Sequence, residues 1–188
     1  MDSMRALDST AKDFIALVAQ VKPTQWQDPT PCEQWDVRAL VGHVISSMHF
    51  YAELLHGASA SRAVELRKQQ ETIGGDDLLM AVTDAAAQAY AAFAEPGALE
   101  RSVHHPMGDL PGSQLLRMRV VDNVVHGWDL ATALHLPAVI DAALAEDLYQ
   151  GLVPMADGLV GTGYIAAPRR PLHSDADPQE RLLTLLGR

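Results

Sequence analysis

Residues 36–57 read DVRALVGHVISSMHFYAELLHG, the clearest helical pattern in the chain. Leu40, Val41, Val44, Ile45, Met48, Tyr51 and Leu54 recur every three or four positions, the spacing of one face of an α-helix. Asp36 stands where an N-cap belongs, and Gly57 is a natural stop. Inside this apolar pattern, between Val41 and Val44, sits His43.

The same period recurs on either side. Residues 2–21 carry Leu7, Phe14, Ile15, Leu17, Val18 and Val21 at helical spacing, and Pro23 ends that helix. The loop PTQWQDPTPCEQW (23–35) is rich in turn and capping residues. Residues 58–75 are polar; SRAVELRKQQ admits a helical turn, and Gly74-Gly75 breaks it. A third helix is expected from about Asp76 to Ala94, with Leu78, Leu79, Val82, Ala86, Tyr90 and Phe93 on one side and Pro96-Gly97 as its end. RSVHHPMGDLPGS (101–113) holds two prolines and two glycines and reads as a loop or short hairpin, a lid between long helices. A fourth helix spans about Gln114 to Leu134, and a fifth 141–156. The segment 158–172 is irregular. Asp177-Pro178-Gln179-Glu180 is a helix start, with an acidic cap and Pro at the first position, before Leu182, Leu183, Leu185 and Leu186. The expectation is an all-α chain, a four-helix bundle forming a single domain over 1–188, with its core in 2–134 and a C-terminal appendage in 141–188.

At 188 residues the chain can bury a core without staples. Its net charge of −10 and its lack of a Lys/Arg cluster argue against nucleic acid and anionic membrane surfaces as partners. Cys32 is the sole cysteine, so no internal disulfide forms. The N-terminus lacks the basic-then-apolar pattern of a signal peptide, and no apolar run approaches the roughly 20 residues of a membrane helix. A cytoplasmic protein is expected; an exposed apolar stripe leaves a homodimer open.

Asp122 and His126 are four residues apart on the fourth long helix, and such positions share a face. A carboxylate and an imidazole so placed can share one metal ion, and facing helices of a bundle are where such sites are built. His43 is the best third ligand. On the residues alone, a surface ion pair beside a core histidine is the commoner fate of such a pattern. Glu100 and His104 form a second pair of this spacing, but Pro-Gly and Pro flank them. Asp129, three after His126, is placed either to orient that ring by hydrogen-bonding its other nitrogen or to make a structural hydrogen bond. Cys32 precedes a helix start, where a thiolate gains stability, although packing under the loop is the commoner fate. Trp35 and Trp128 read as anchors of helix ends, and His49, His56, His135 and His173 as surface or loop residues. Gly161-Thr162-Gly163 reads as a turn: no strand precedes it and no lysine follows, as a nucleotide loop requires.

Two segments carry a resemblance. DPTPCEQWDVRALVGHVISSM (28–48) resembles the opening motif of the mycothiol-dependent maleylpyruvate isomerase family, a branch of the DinB-like superfamily: Thr-Pro-Cys-x-x-Trp, a capping residue, then an apolar helix with an embedded His. DNVVHGWDLATALHLP (122–137) resembles its second motif, an acid four before His, then Trp-Asp-Leu. The tail RLLTLLGR is similar to the end of a compact actinobacterial subgroup. The resemblance implies a DinB-like bundle and one divalent metal ion, zinc first and nickel second, held by His43, Asp122 and His126. The isomerases that name the family carry Glu at the acid position, where this chain has Asp. It also implies mycothiol, or a similar low-molecular-weight thiol, as co-substrate.

Three protein ligands leave an open coordination position, and a thiol bound at a cation is deprotonated. The expected activity is S-transfer to a small electrophile, or isomerisation by thiol addition and elimination. His104 and His105 of the 101–113 segment are candidates for a general acid. A metal-bound water would instead make a hydrolase, and a bundle binding metal or ligand without catalysis is the third reading.

Overall fold

The computed structural model describes residues 2–33, 35–69, 77–161, 165–168, 171–173 and 175–188. The chain divides into two compact units, 2–136 and 137–188.

The first unit is built on four long helices: α1 (Ser3–Val18), α2 (Val37–Leu55), α4 (Leu78–Ala94) and α5 (Gly112–Ala133). Aspartates start three of them. Asp2 accepts from the backbone N–H groups of Met4 and Arg5, Asp36 from Ala39 and Asp77 from Met80. Each such cap satisfies a donor that the helix leaves unpaired, a contribution of about 1 kcal/mol. Some of the acidic excess is therefore structural.

α1 packs on α4 and α5, and α2 packs on the same two, so α1 and α2 stand diagonally across the bundle. α4 and α5 form the other diagonal. Both diagonal connections are long, as crossing a bundle demands, whereas α2 passes to its neighbour α4 by way of the short α3 (Ala60–Gln69). The polar stretch after Gly57 therefore does form a helix, packed on α2 and the first hairpin strand.

The core gathers Phe14 and Val18 from α1, Leu40, Val41, Val44, Ile45 and Met48 from α2, Leu78, Val82, Ala85 and Ala89 from α4, and Leu130 from α5. Leu40, Val44 and Ile45 are wholly inaccessible; truncating such a leucine to alanine costs about 2–5 kcal/mol. Alanines on α4 provide small side chains at its buried positions.

Between α4 and α5 the 101–113 segment forms an antiparallel hairpin, β1 (Ser102–His105) and β2 (Gly108–Pro111), with His105 paired to Gly108. Gly112, where α5 begins, lies so close to the carbonyl of Ala98 that a Cβ would overlap it. Only glycine fits there. At its far end α5 stops in a Schellman motif: Leu136 N–H donates to Ala131 O and His135 N–H to Thr132 O, with His135 at φ +57°.

The second unit holds α6 (Ala142–Leu152), a 3₁₀ turn (Val153–Met155), α7 (Ala156–Gly161) and α8 (Pro178–Leu185). α8 packs on α6. Asp177 caps α8, as the Asp-Pro start requires, and Asp141 caps α6. Gln179 donates to Ala138 O and accepts from Ile140 N–H, and Arg181 pairs with Glu146 while lying over the Tyr149 ring. The Gly74-Gly75 break, Asp76, Thr162 and Gly163 lie outside the described residues. No helix among the described residues is long and apolar enough to cross a membrane.

Candidate metal centre

α2 and α5 are neighbours running in opposite directions. His43 faces Asp122 and His126; one turn on, Ser47 meets Asp122 and Arg119; one turn further, Tyr51 lies against Arg119. Rising four-residue steps on one helix match falling steps on the other, because i and i+4 share a face.

The facing side chains converge. His126 Nε2 is 3.3 Å and His43 Nε2 3.9 Å from Asp122 Oδ1. One donor atom from each of the three residues lies within 4.8 Å of the others. A tetrahedral ion with bonds of about 2.0–2.1 Å needs donors roughly 3.3 Å apart. Two imidazole nitrogens and one carboxylate oxygen at these separations fit a divalent transition-metal ion with little movement.

Each element of this arrangement is held from behind. Asp122 Oδ2 accepts from Ser47 Oγ at 2.7 Å and pairs with Arg119 Nη1 at 2.8 Å. His126 Nδ1 lies 3.1 Å from Asp129 Oδ2, and the Cys32 thiol donates to the same oxygen at 3.2 Å. Asp129, which the sequence leaves open between orienting His126 and a structural hydrogen bond, contacts that ring and is fully buried. Cys32, Asp129 and His126 form a second set of converging donors through the other ring nitrogen.

Trp35 covers one side. Its indole stacks on His43 with centroids 4.3 Å apart and planes 28° apart, and lies 5.6 Å from the His126 ring. The loop that delivers it is tightly tied. Thr30 Oγ1 donates to Trp35 O, Trp35 N–H to Cys32 O, and Val37 N–H to Asp28 O.

The electrostatics follow from burial and pairing. Burial lowers the His43 pKa below its ordinary value, only partly opposed by Asp122. Burial also works against the charged form of His126, but hydrogen bonding and charge from Asp122, with help from Asp129 and Cys32, raise it well above the usual histidine range. Burial would raise Asp122, yet Arg119 and His126 outweigh it and hold the carboxyl well below its usual value. Asp122 is thus a carboxylate throughout the physiological range.

His104 and His105 have other surroundings. His104 is exposed and pairs with Asp109 at 2.8 Å across the hairpin. His105 is buried, accepts from Met107 N–H and stands edge-on to Phe50. Phe50 is seven residues past His43 on α2, about 10 Å along the helix axis. Trp128 is half-buried, His56 pairs with Glu95, and His135 and His173 are exposed. Sequence reasoning did not single out Ser47, Arg119 or Asn123. Ser47 is one turn from His43 and Arg119 one turn from Asp122, so same-face spacing was the available signal.

Four long helices, with only a small two-stranded hairpin among the described residues, give this chain an all-α fold of the DinB-like class. Within that class the chain belongs to the mycothiol maleylpyruvate isomerase N-terminal domain family, whose profile matches residues 7–131. Two crystal structures share the fold. One is a histidine-to-alanine mutant of the mycothiol-dependent maleylpyruvate isomerase, with a TM-score of 0.65, 18% identity, and coverage of 82% of this chain and 68% of that one. The other, of the mycothiol-dependent maleylpyruvate isomerase, has a TM-score of 0.61, 19% identity, and coverage of 82% and 71%. Among curated sequences, Uncharacterized protein Rv0738 and Uncharacterized protein MT0763 of Mycobacterium tuberculosis, strains H37Rv and CDC 1551, are each 30% identical over 189 residues, spanning 100% of this chain and 98% of theirs.

Proposed function

We propose that this protein is a divalent-metal-dependent enzyme that uses a low-molecular-weight thiol of the mycothiol type, acting as an S-transferase or isomerase on a small electrophile in the cytoplasm. His43, Asp122 and His126 are the metal ligands, with zinc the first choice and nickel the second. The observation that carries this reading is the convergence of two Nε2 atoms and one Oδ1 from facing helices on one point. Family membership, and neighbours of the same fold named as mycothiol-dependent, support the thiol.

A divalent ion in this donor set supplies a Lewis acid that favours the thiolate form of a bound thiol at neutral pH. The chain's own residues prepare the place. Asp129 holds the proton on His126 Nδ1, so that Nε2, on giving up its own proton, would present its lone pair beside His43 and Asp122. Asp122 adds one negative charge, and Trp35 keeps water from one face of the His43 ring. In transfer, the thiol sulfur bonds to the electrophilic carbon and the leaving group departs with its bonding pair. In isomerisation the same C–S bond later breaks and the thiol is returned unchanged.

The test is metal analysis of protein purified without chelator, followed by mycothiol and a reactive haloaromatic electrophile. The expected result is about one metal ion per chain and turnover that requires both thiol and metal. A protein that refuses zinc and nickel, or that hydrolyses activated esters with no thiol added, contradicts the proposal.

A further inference from the structure

Arg119 is the largest fully buried side chain among the described residues. Taking a guanidinium out of water costs several kcal/mol unless its donors are met. Nη1 meets Asp122 Oδ2 at 2.8 Å and Ser47 Oγ, and Nη2 donates to Asn123 Oδ1 at 2.7 Å, while buried Nε has no partner among the described residues. Asn123 Nδ2 in turn donates to Thr10 Oγ1 at 3.2 Å, and Thr10 Oγ1 donates to Ala6 O at 2.7 Å. Tyr51 lies 5.6 Å from the guanidinium carbon. Contacts from α1, α2 and α5 thus determine the orientation of one side chain.

Arginine and carboxylate commonly pair through two parallel hydrogen bonds that use both carboxylate oxygens. Here Arg119 Nη1 and the Ser47 hydroxyl both meet Oδ2, while Oδ1 faces the two imidazoles. The two oxygens are thus divided between partners: Oδ2 belongs to the guanidinium and the hydroxyl, and Oδ1, among the described residues, belongs to the imidazoles alone.

We infer that Arg119 is a positioning residue for the metal centre: by engaging Oδ2 it restricts Asp122 to a one-oxygen donor aimed between His43 and His126. The inference rests on the metal reading above. The buried cation also offsets the Asp122 charge, so more of a bound ion's positive charge is left for an incoming anionic sulfur.

The test compares wild type, Arg119→Lys and Asn123→Ala, each loaded with Co(II). Lysine keeps the charge and loses the fork; Asn123→Ala frees the second Nη while leaving every proposed ligand in place. Co(II) affinity is measured by chelator competition well below each variant's Tm, and coordination by the visible spectrum. Arg119→Lys is expected to weaken binding about 10–100-fold, as loss of an outer partner of a metal ligand does. Its spectrum is expected to move toward the weaker bands of a more highly coordinated ion as Oδ2 joins. Asn123→Ala is expected to shift both readouts in the same direction by less, and it decides the matter if Arg119→Lys does not fold. Folded variants with lowered Tm but unchanged affinity and spectrum overturn the inference and leave the metal reading standing. Wild type that takes up no Co(II) overturns both.

Discussion

Trp35 and His43 lie face to face, ring centroids 4.3 Å apart and planes 28° from parallel. The contact joins the irregular loop after α1 to the second turn of the most buried helix, directly over the candidate donor set. A tryptophan so placed reports on whatever binds there. In a Trp26→Phe, Trp128→Phe variant, Trp35 is the only tryptophan of the three. Its emission is expected to fall in a saturable way on adding Ni(II) or Co(II), and to respond little once His43 and His126 are both alanine. Emission indifferent to metal in the first variant speaks against a site beneath the indole.

Asp129 and Cys32 act in series on His126. Removing the carboxylate, as in Asp129→Ala, is expected to weaken metal binding about 10–100-fold, because the ring loses the partner that sets its tautomer. Cys32→Ala removes one hydrogen bond from a weak S–H donor, about 1 kcal/mol, and is expected to cost about tenfold at most. Chelator competition measures both. Equal losses would place Cys32 among the ligands, in the second donor set.

Protonation gives the metal-free and metal-loaded proteins opposite pH responses. The raised pKa of His126 means a contribution to stability that is fully present below about 6.5 and is lost as pH rises through its folded value. The lowered pKa of Asp122 means a contribution present above about 3.8 and lost as pH falls through its folded value. His43, lowered by burial, removes stability as pH drops below about 6.5. The metal-free protein is therefore expected to lose stability as pH rises above 6.5. Zinc must displace the proton from His126, so the stabilisation it confers is expected to grow over the same range. Thermal melts between pH 6 and 9, with and without zinc, measure both slopes; parallel slopes contradict the assignment.

His135 occupies the left-handed position that ends α5, where glycine is the usual residue. It is exposed and follows the site's last residue by six positions. His135→Gly is expected to raise stability by about 1 kcal/mol, the strain that a side chain bears there. Urea unfolding measures it, with metal affinity unchanged as the control.

The parts of this molecule legible in the sequence are those governed by periodicity. The stripe from Leu40 to Leu54 marks α2, and Asp36 and Asp177 mark helix starts, since capping is a local matter. Asp122 and His126 could be paired because i,i+4 geometry needs no knowledge of the fold, and His43 stood out as polar within an apolar run. Arg119 could not be read this way. In sequence a buried arginine looks like an exposed one, and only its meeting with Ser47, Asn123 and Thr10 across three helices identifies it. Trp35 and Cys32 arrive from a loop without a period, so their contacts with His43 and Asp129 depend on tertiary packing. The 101–113 segment was open between loop and hairpin because Pro106, Met107 and Gly108 suit either; pairing of Val103 with Leu110 resolves it.

On the proposal above, His43, Asp122 and His126 hold one metal ion. Crystals grown with zinc and measured on either side of its absorption edge test it most directly. The expected map has one anomalous peak per chain, about 2.0–2.2 Å from both Nε2 atoms and from Asp122 Oδ1. No peak, or a peak held by Cys32 and Asp129 instead, would contradict it.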